Sequence, residues 1–372
     1  MRLPQEVNQM SDPLISVEGL KKHFTINDGL LNRILGRAQT LKAVDGISFG
    51  IEQGETIGLV GESGSGKSTA ARTLLQLETP TAGRVTYDGT DLTELSAKEM
   101  KRHRRELQMV FQDPASSLNR RKTIAQTIRQ PMKIHGLHQG NRSEKVAELL
   151  ETVGLSAQFA NQYPHELSGG QQQRVGIARA LAVDPDVLVC DEPVSALDVS
   201  LQAQILNLLD ELQDEYGLTI LFIAHDLSVI RHICDRVAVM YLGKIIEIAE
   251  TKQLFRYPQH PYTQALLQSI PEPDPTIDRV RKSLPGQVPS PIDPPVGCSF
   301  HTRCPEATKE CRQEDPSLQQ VENANDGHAA ACIYAREFDE RPSGTIAHIE
   351  GNVNRYSQQR FCKQDPLTSG DD

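Results

Sequence analysis

One stretch constrains this 372-residue chain more than any other: ETIGLVGESGSGKSTAARTLLQL, residues 55–77. It runs from a short apolar segment, through glycine and serine, into a sequence with helical periodicity. A strand, a glycine loop and a helix in that order turn the loop's backbone N–H groups toward one point at a helix N-terminus, which is an anion site. Gly61, Glu62, Ser63, Gly64, Ser65, Gly66, Lys67, Ser68 and Thr69 match the phosphate-loop pattern G-x-x-x-x-G-K-S/T. The glycines let the backbone close around phosphate oxygens. Lys67 supplies a point charge for the β and γ phosphates, and the Ser68 hydroxyl ligates Mg2+.

A second apolar run, VLVCDE (187–192), ends in two carboxylates. Asp191 at the strand tip can hold Mg2+ through water. Glu192, one residue nearer the phosphate, can polarise an attacking water as general base. By itself such a pair is often only a strand end; beside the phosphate loop it points to phosphoryl transfer. From Val187 onward strands and helices alternate, the pattern of an α/β core with a largely parallel sheet. Residues 120–165 read as mostly helical. Lys98, Lys101, Arg102, Arg104 and Arg105 read as a solvated helix face, in preference to a binding patch.

Leu167-Ser168-Gly169-Gly170-Gln171 reproduces the signature of ABC ATPases, a segment that phosphate-loop proteins in general lack. The resemblance covers residues 15–260. It implies a P-loop NTPase core with an antiparallel β subdomain and a helical subdomain at about 115–180. It also implies roles. The signature, at a helix N-terminus, would contact the γ-phosphate held by an opposite subunit. Gln112 in VFQDP resembles the glutamine that ligates Mg2+ and senses a membrane subunit. Asp198, closing Ser195-Ala196-Leu197-Asp198, resembles the D-loop that links two sites of a dimer. His225 in LFIAHD resembles the switch histidine, and Phe24 in LKKHF the aromatic that stacks on adenine. Each of these residues alone has a bland reading, His225 as an ordinary strand-end histidine.

VFQDPASSLNRRKT, YPHELSGGQQQRV, HPYTQALL and LPGQVPSPIDPPVGCSFHTRC resemble the ATPase subunits of oligopeptide and dipeptide importers, a group that also carries nickel, glutathione and some oligosaccharides. The partners this implies are a second ATPase subunit, identical or homologous, two transmembrane permeases and an extracytoplasmic solute-binding protein. The chain would sit peripherally on the cytoplasmic face of the membrane. A non-transport ABC ATPase of DNA repair, chromosome organisation or translation is the alternative. Only 97 residues separate Thr69 from Leu167, with no heptads of coiled-coil length, and the chain holds one cassette.

Composition shifts after residue 260. A proline-rich connector (271–297) leads to Cys298, Cys304, Cys311 and Cys332, and residues 346–372 form a polar tail expected to be disordered. Residues 261–345 would thus form a small Cys-rich C-terminal domain, preceded by an N-terminal tail (1–14) and the 15–260 ATPase. Four thiolates on loops can hold a metal. A 4Fe–4S cluster, which the resemblance implies for some members, zinc, and unligated thiols all remain open; the lack of a C-x2-C pair counts against zinc. Cys362 falls in the tail, and Cys190 and Cys234 lie in apolar runs as core residues. A net charge of −10 and a pI of about 5.6 argue against a nucleic-acid partner. No apolar window reaches the length of a membrane span, and the N-terminus lacks a signal-peptide core. Transport is therefore expected to fall to partner subunits of a cytosolic ATPase.

Overall fold

The computed structural model describes residues 12–26, 39–270, 286–321 and 327–335. Residues 27–38, the first part of the proline-rich connector (271–285), and the tail with Cys362 lie outside the described residues.

Two sheets carry the fold. The larger has eight strands, and five of them are parallel neighbours. These are β9 (Arg236–Tyr241), β3 (Thr56–Val60), β8 (Thr219–Ala224), β7 (Val187–Asp191) and β6 (Leu107–Val110), in that spatial order. β3, β7 and β8 are buried at every position, which explains why they read as unbroken apolar runs. Side chains nevertheless alternate between faces: Val187 and Val189 join one core cluster, Leu188 and Cys190 the other. The smaller sheet is antiparallel, in the order β2 (Gln39–Ile51), β1 (Ile15–Ile26), β4 (Ala82–Tyr87), β5 (Thr90–Asp91). Ile15, Val17, Ile47 and Val85 from this sheet share a core with Ile57, Leu59 and Val189 of the large one. Helix α1 (Lys67–Leu74) contributes Ala70, Ala71 and Leu74 to the same core.

The opposite face of the large sheet is covered by helices. α2 (Ala97–Glu106) lies instead on the small-sheet side, where Met100, its one buried residue, joins that core, and the basic run is solvated as expected. After the short α3 (Pro114–Ser117) come α4 (Ile124–His135), α5 (Arg142–Thr152) and α6 (Gly169–Leu181), the expected helical segment. Thr123 and Gln126 form a capping box that starts α4, and Gly136 in the left-handed region ends it. α7 (Val199–Tyr216) and α8 (Leu227–Ile233) complete this layer. Cys190 and Cys234 are buried in it.

The chain beyond residue 260 is built into the main sheet. β10 (Lys244–Glu250) follows β9 antiparallel and leads into α9 (Thr251–Arg256) and α10 (Pro261–Gln268). β12 (Ala329–Ala330) pairs with β10 through Glu247↔Ala330 and Ile248↔Ala329, and β11 (Gln319–Gln320) pairs with β12. Glu247 is fully buried at this joint. Its carboxylate accepts the N–H groups of Gln259 (2.7 Å) and His260 (2.9 Å) and meets His328 Nε2 at 2.8 Å. Three partners on a buried carboxylate replace the water it lost. The Cys-rich segment has little core of its own: Val321, Ala330 and Ala335, with Cys332 beside them.

Candidate functional site

Parallel register brings the carboxyl ends of four strands into line: Val60 pairs with Ala224, Ile223 with Asp191, and Cys190 with Val110. Gly61, His225 and Glu192 directly follow three of these ends and Gln112 comes two residues after the fourth, and all but Gly61 line one open cavity of about 800 Å³. Loops at the carboxyl edge of a parallel sheet are where α/β folds bind ligands. Glu62, Ser63, Gly64, Gly66, Lys67, Ser68 and Thr69 complete the wall on the loop side.

The glycines are required by space as well as by angle. A Cβ on Gly61 (φ +154°) would stand 2.1 Å from Met240 O, and one on Gly66 (φ +104°) 2.0 Å from Ala43 O. Lys67 is 95% buried, and its Nζ donates to Gly61 O (2.7 Å) and Glu62 O (3.1 Å). Burial lowers its pKa, and the charges of Glu192, Asp191 and Glu62 act against that. An ammonium held only by carbonyls is free to exchange them for phosphate oxygens.

Ser68 Oγ donates to Asp191 Oδ1 at 2.8 Å. Burial raises the Asp191 pKa, while the Ser68 hydrogen bond lowers it. Asp191 Oδ2 is buried and has no hydrogen-bond partner among the described residues, and the same holds for Ser65 Oγ. Orphaned buried oxygens beside a serine hydroxyl are what a hydrated Mg2+ would satisfy. Glu192 stands in the left-handed region at φ +46°, a strain of about 1 kcal/mol that turns its carboxylate toward the cavity. Its N–H donates to Ile223 O, its Oε2 accepts Gln112 Nε2 at 2.7 Å, and His225 Nδ1 lies 3.6 Å away.

Other expected site residues lie elsewhere. Phe24 is not among the lining residues; it pairs with Leu41, which is. The wall there consists of Leu41, Ala43 and Pro291. Lys42 N–H donates to Pro291 O at 3.2 Å, so the proline segment closes one side of the cavity. Leu167, Ser168, Gly169, Gly170 and Gln171 do not line their own chain's cavity. Ser168 is the N-cap of α6, its Oγ accepting Gln171 N–H while Gln171 Oε1 accepts Ser168 N–H (2.9 Å). Replacing such a cap by alanine costs about 1 kcal/mol. The Asp198 carboxylate caps α7 by accepting Leu201 N–H at 3.0 Å.

Sequence reasoning missed Leu41, Ala43, Pro291, Tyr262 and Arg303. Arg303 pairs with Glu62 at 2.6 and 3.0 Å, and Tyr262 Oη accepts Glu62 N–H at 2.9 Å. Tyr262 lies in HPYTQALL and Pro291 and Arg303 in LPGQVPSPIDPPVGCSFHTRC, stretches that stood out as family motifs without pointing to the nucleotide site.

Cys298, Cys304, Cys311 and Cys332 line a second cavity with only about 20 Å³ free, closed by His260, Phe300 and Tyr334. Burial raises the Cys298 thiol pKa, and pushes Cys304 up to about 11 and Cys332 up to about 12. Among the described residues no three His, Cys, Asp or Glu side chains stand close enough to bind one metal ion.

The loop, its lysine and the strand-end carboxylates around one cavity define a P-loop nucleotide-hydrolysing protein. Residues 44–195 match the ABC transporter family, and 246–311 match the C-terminal region of the oligopeptide/dipeptide transporter family. YkfD of Bacillus subtilis (strain 168) is 54% identical over 331 residues, covering 88% of this chain and 97% of YkfD. The oligopeptide transport ATP-binding protein AppF of the same organism is 50% identical, over 86% of this chain and 97% of AppF. Among solved structures, the ATP-binding cassette MJ0796, a dimer bound to ADP and phosphate, is 30% identical with a TM-score of 0.57, over 64% of this chain and 98% of MJ0796. This chain belongs to the ABC transporter ATP-binding family, in the branch with the oligopeptide/dipeptide C-terminal region. It is an ATPase of that class.

Proposed function

We propose that this chain hydrolyses ATP to power a peptide importer, as one of two ATPase subunits beneath two permeases that receive solute from an extracytoplasmic binding protein. The observation that carries the reading is the single cavity holding Lys67, Ser68, Gln112, Glu192 and His225, joined to a peptide-transporter C-terminal region. The names of AppF and its relatives support peptides as the cargo. Among the described residues no helix is long and apolar enough to cross a membrane, which supports a peripheral place on the cytoplasmic face.

In the proposed reaction Lys67 leaves the Gly61 and Glu62 carbonyls for the β and γ phosphates. A water attacks the γ-phosphorus, Glu192 takes its proton, and the bond to the β–γ bridging oxygen breaks to release ADP. His225 steadies the water and the γ-phosphoryl oxygens. Ser68, Asp191 and Gln112 would hold Mg2+, which supplies charge neutralisation on the phosphates. Leu167–Gln171 and Asp198 complete the site of a head-to-tail partner, a role supported by their absence from their own cavity and by the dimeric MJ0796. Phe24, beside Leu41 on the cavity's edge, stacks on the adenine. The layout is an ATPase domain at 15–260, its helical part near 115–180, a C-terminal domain at 261–345, and tails at 1–14 and 346–372. The four cysteines would hold a 4Fe–4S cluster that staples that domain, a reading supported by their convergence on one cavity. With about 20 Å³ free, the thiol loops must spread to admit it.

Glu192→Gln tests the mechanism: the variant should bind ATP, collect as a dimer on gel filtration with ATP, and lose at least about a hundredfold in phosphate release. Near-normal hydrolysis would refute it. For the cysteines, iron and acid-labile sulfide are assayed after anaerobic purification; their absence leaves zinc or free thiols.

A further inference from the structure

Glu62 puts a carboxylate on the wall of a cavity meant for a triphosphate. Left alone, it would repel ATP. The side chain that answers it comes from 241 residues away: Arg303 Nη1 and Nη2 grip the two Glu62 oxygens at 2.6 and 3.0 Å in a bidentate fork. Arg303 is 95% buried while Glu62 is 29% exposed, so the arginine is fixed and the carboxylate is drawn to it. The fixing is aromatic. The guanidinium lies 5.9 Å over the Tyr241 ring, and Tyr241, Tyr262 and Phe300 pack together at centroid distances of 4.8 to 5.3 Å. Tyr262 in turn takes the Glu62 N–H. One residue of the phosphate loop is thus held at its backbone and its side chain by the chain beyond residue 260.

We propose that Arg303 is a positioning residue of the nucleotide site, neutralising Glu62 and holding the loop so that ATP affinity depends on the Cys-rich C-terminal segment. The inference rests on ATP occupying the Gly61–Thr69 cavity and goes beyond it by assigning part of the site to the far end of the chain. Arg303 directly precedes Cys304, so any change that reshapes the thiol pocket moves the arginine's backbone as well.

The test is a set of four full-length proteins, wild type, Arg303→Gln, Glu62→Gln and the double variant, titrated with fluorescent Mg-ATP and assayed for turnover. Arg303→Gln should weaken ATP binding and raise KM by about tenfold, with kcat within about twofold, because an unpaired carboxylate now faces the phosphates. The double variant should bind ATP within about threefold of Glu62→Gln, since the repelling charge is gone from both. Wild-type affinity in Arg303→Gln overturns the inference. So does a double variant as weak as Arg303→Gln, which would assign the loss to packing. If Arg303→Gln does not fold, Arg303→Lys replaces it, with a loss of about threefold rescued by Glu62→Gln; unchanged affinity overturns the inference equally. A wild type that binds no ATP would instead sink the reading of the cavity.

Discussion

The nucleotide cavity and the cysteine pocket draw mostly on different stretches of the sequence and differ in how they are built. The cavity is open, about 800 Å³, and made of loops that leave the ends of deeply buried strands. Its shape is set by backbone, because carbonyls of Ala43 and Met240 fill the places where side chains on Gly66 and Gly61 would stand. The pocket has about 20 Å³ free: Phe300, Cys298 and Cys304 pack with the main core, and Cys332 against the small cluster of Val321, Ala330 and Ala335. The first site is shaped by loops that leave the main sheet. The second lies between the main core and that small cluster, with seams at Glu247 and Arg303.

The sharpest break in that comparison should come from the loop. Gly66→Ala puts a methyl 2.0 Å from Ala43 O and should reduce ATP affinity at least about a hundredfold, measured by fluorescent-nucleotide titration. Gly64→Ala meets nothing within 4 Å, and although strained at φ +81° it should lose much less. Equal losses would mean that angle alone, and not space, shapes the cradle.

Next in size is the pocket. Cys298→Ser with Cys311→Ser should lower the thermal midpoint by several degrees and weaken ATP by no more than about tenfold, the limit set by losing Arg303. Turnover lost as completely as in Glu192→Gln would show that the two regions are one.

The smallest effect is at the seam. His260 is buried at the N-cap of α10 with Nδ1 accepting Tyr262 N–H, and burial pushes its pKa down to about 4, against the pull of Glu247. The folded state therefore stays neutral there while the unfolded chain takes a proton below about pH 6.5. Stability should be lost as pH falls from about 6.5 toward 4, by at most about 1.4 kcal/mol per pH unit. Urea unfolding at pH 7 and pH 5 checks this, and His260→Asn should show a shallower fall than wild type.

Much of the core and the cavity was legible in local sequence. β3 and its loop, the strand VLVCD and the alternation after Val187 each express a short-range rule, and each appears where those rules place it. The proximity of Gln112, Glu192 and His225 also follows, since parallel strands in register must end along one edge. Phe24 shows the limit. The resemblance implies an adenine contact for it, but no sequence pattern shows that the wall beside it is Leu41, Ala43 and Pro291, because strand pairing and a returning loop decide which side chains face inward.

By itself the sequence determined an ATPase cassette: a phosphate loop, its carboxylates and a signature segment. Motifs of that kind are confined to a few consecutive residues whose backbone geometry is set locally. Only the tertiary structure decided that the chain past residue 260 joins the main sheet through β12, gathers four thiols around one pocket, and returns Arg303 to Glu62. Those contacts join residues hundreds of positions apart, and packing between distant segments, which no local pattern encodes, is what brings them together.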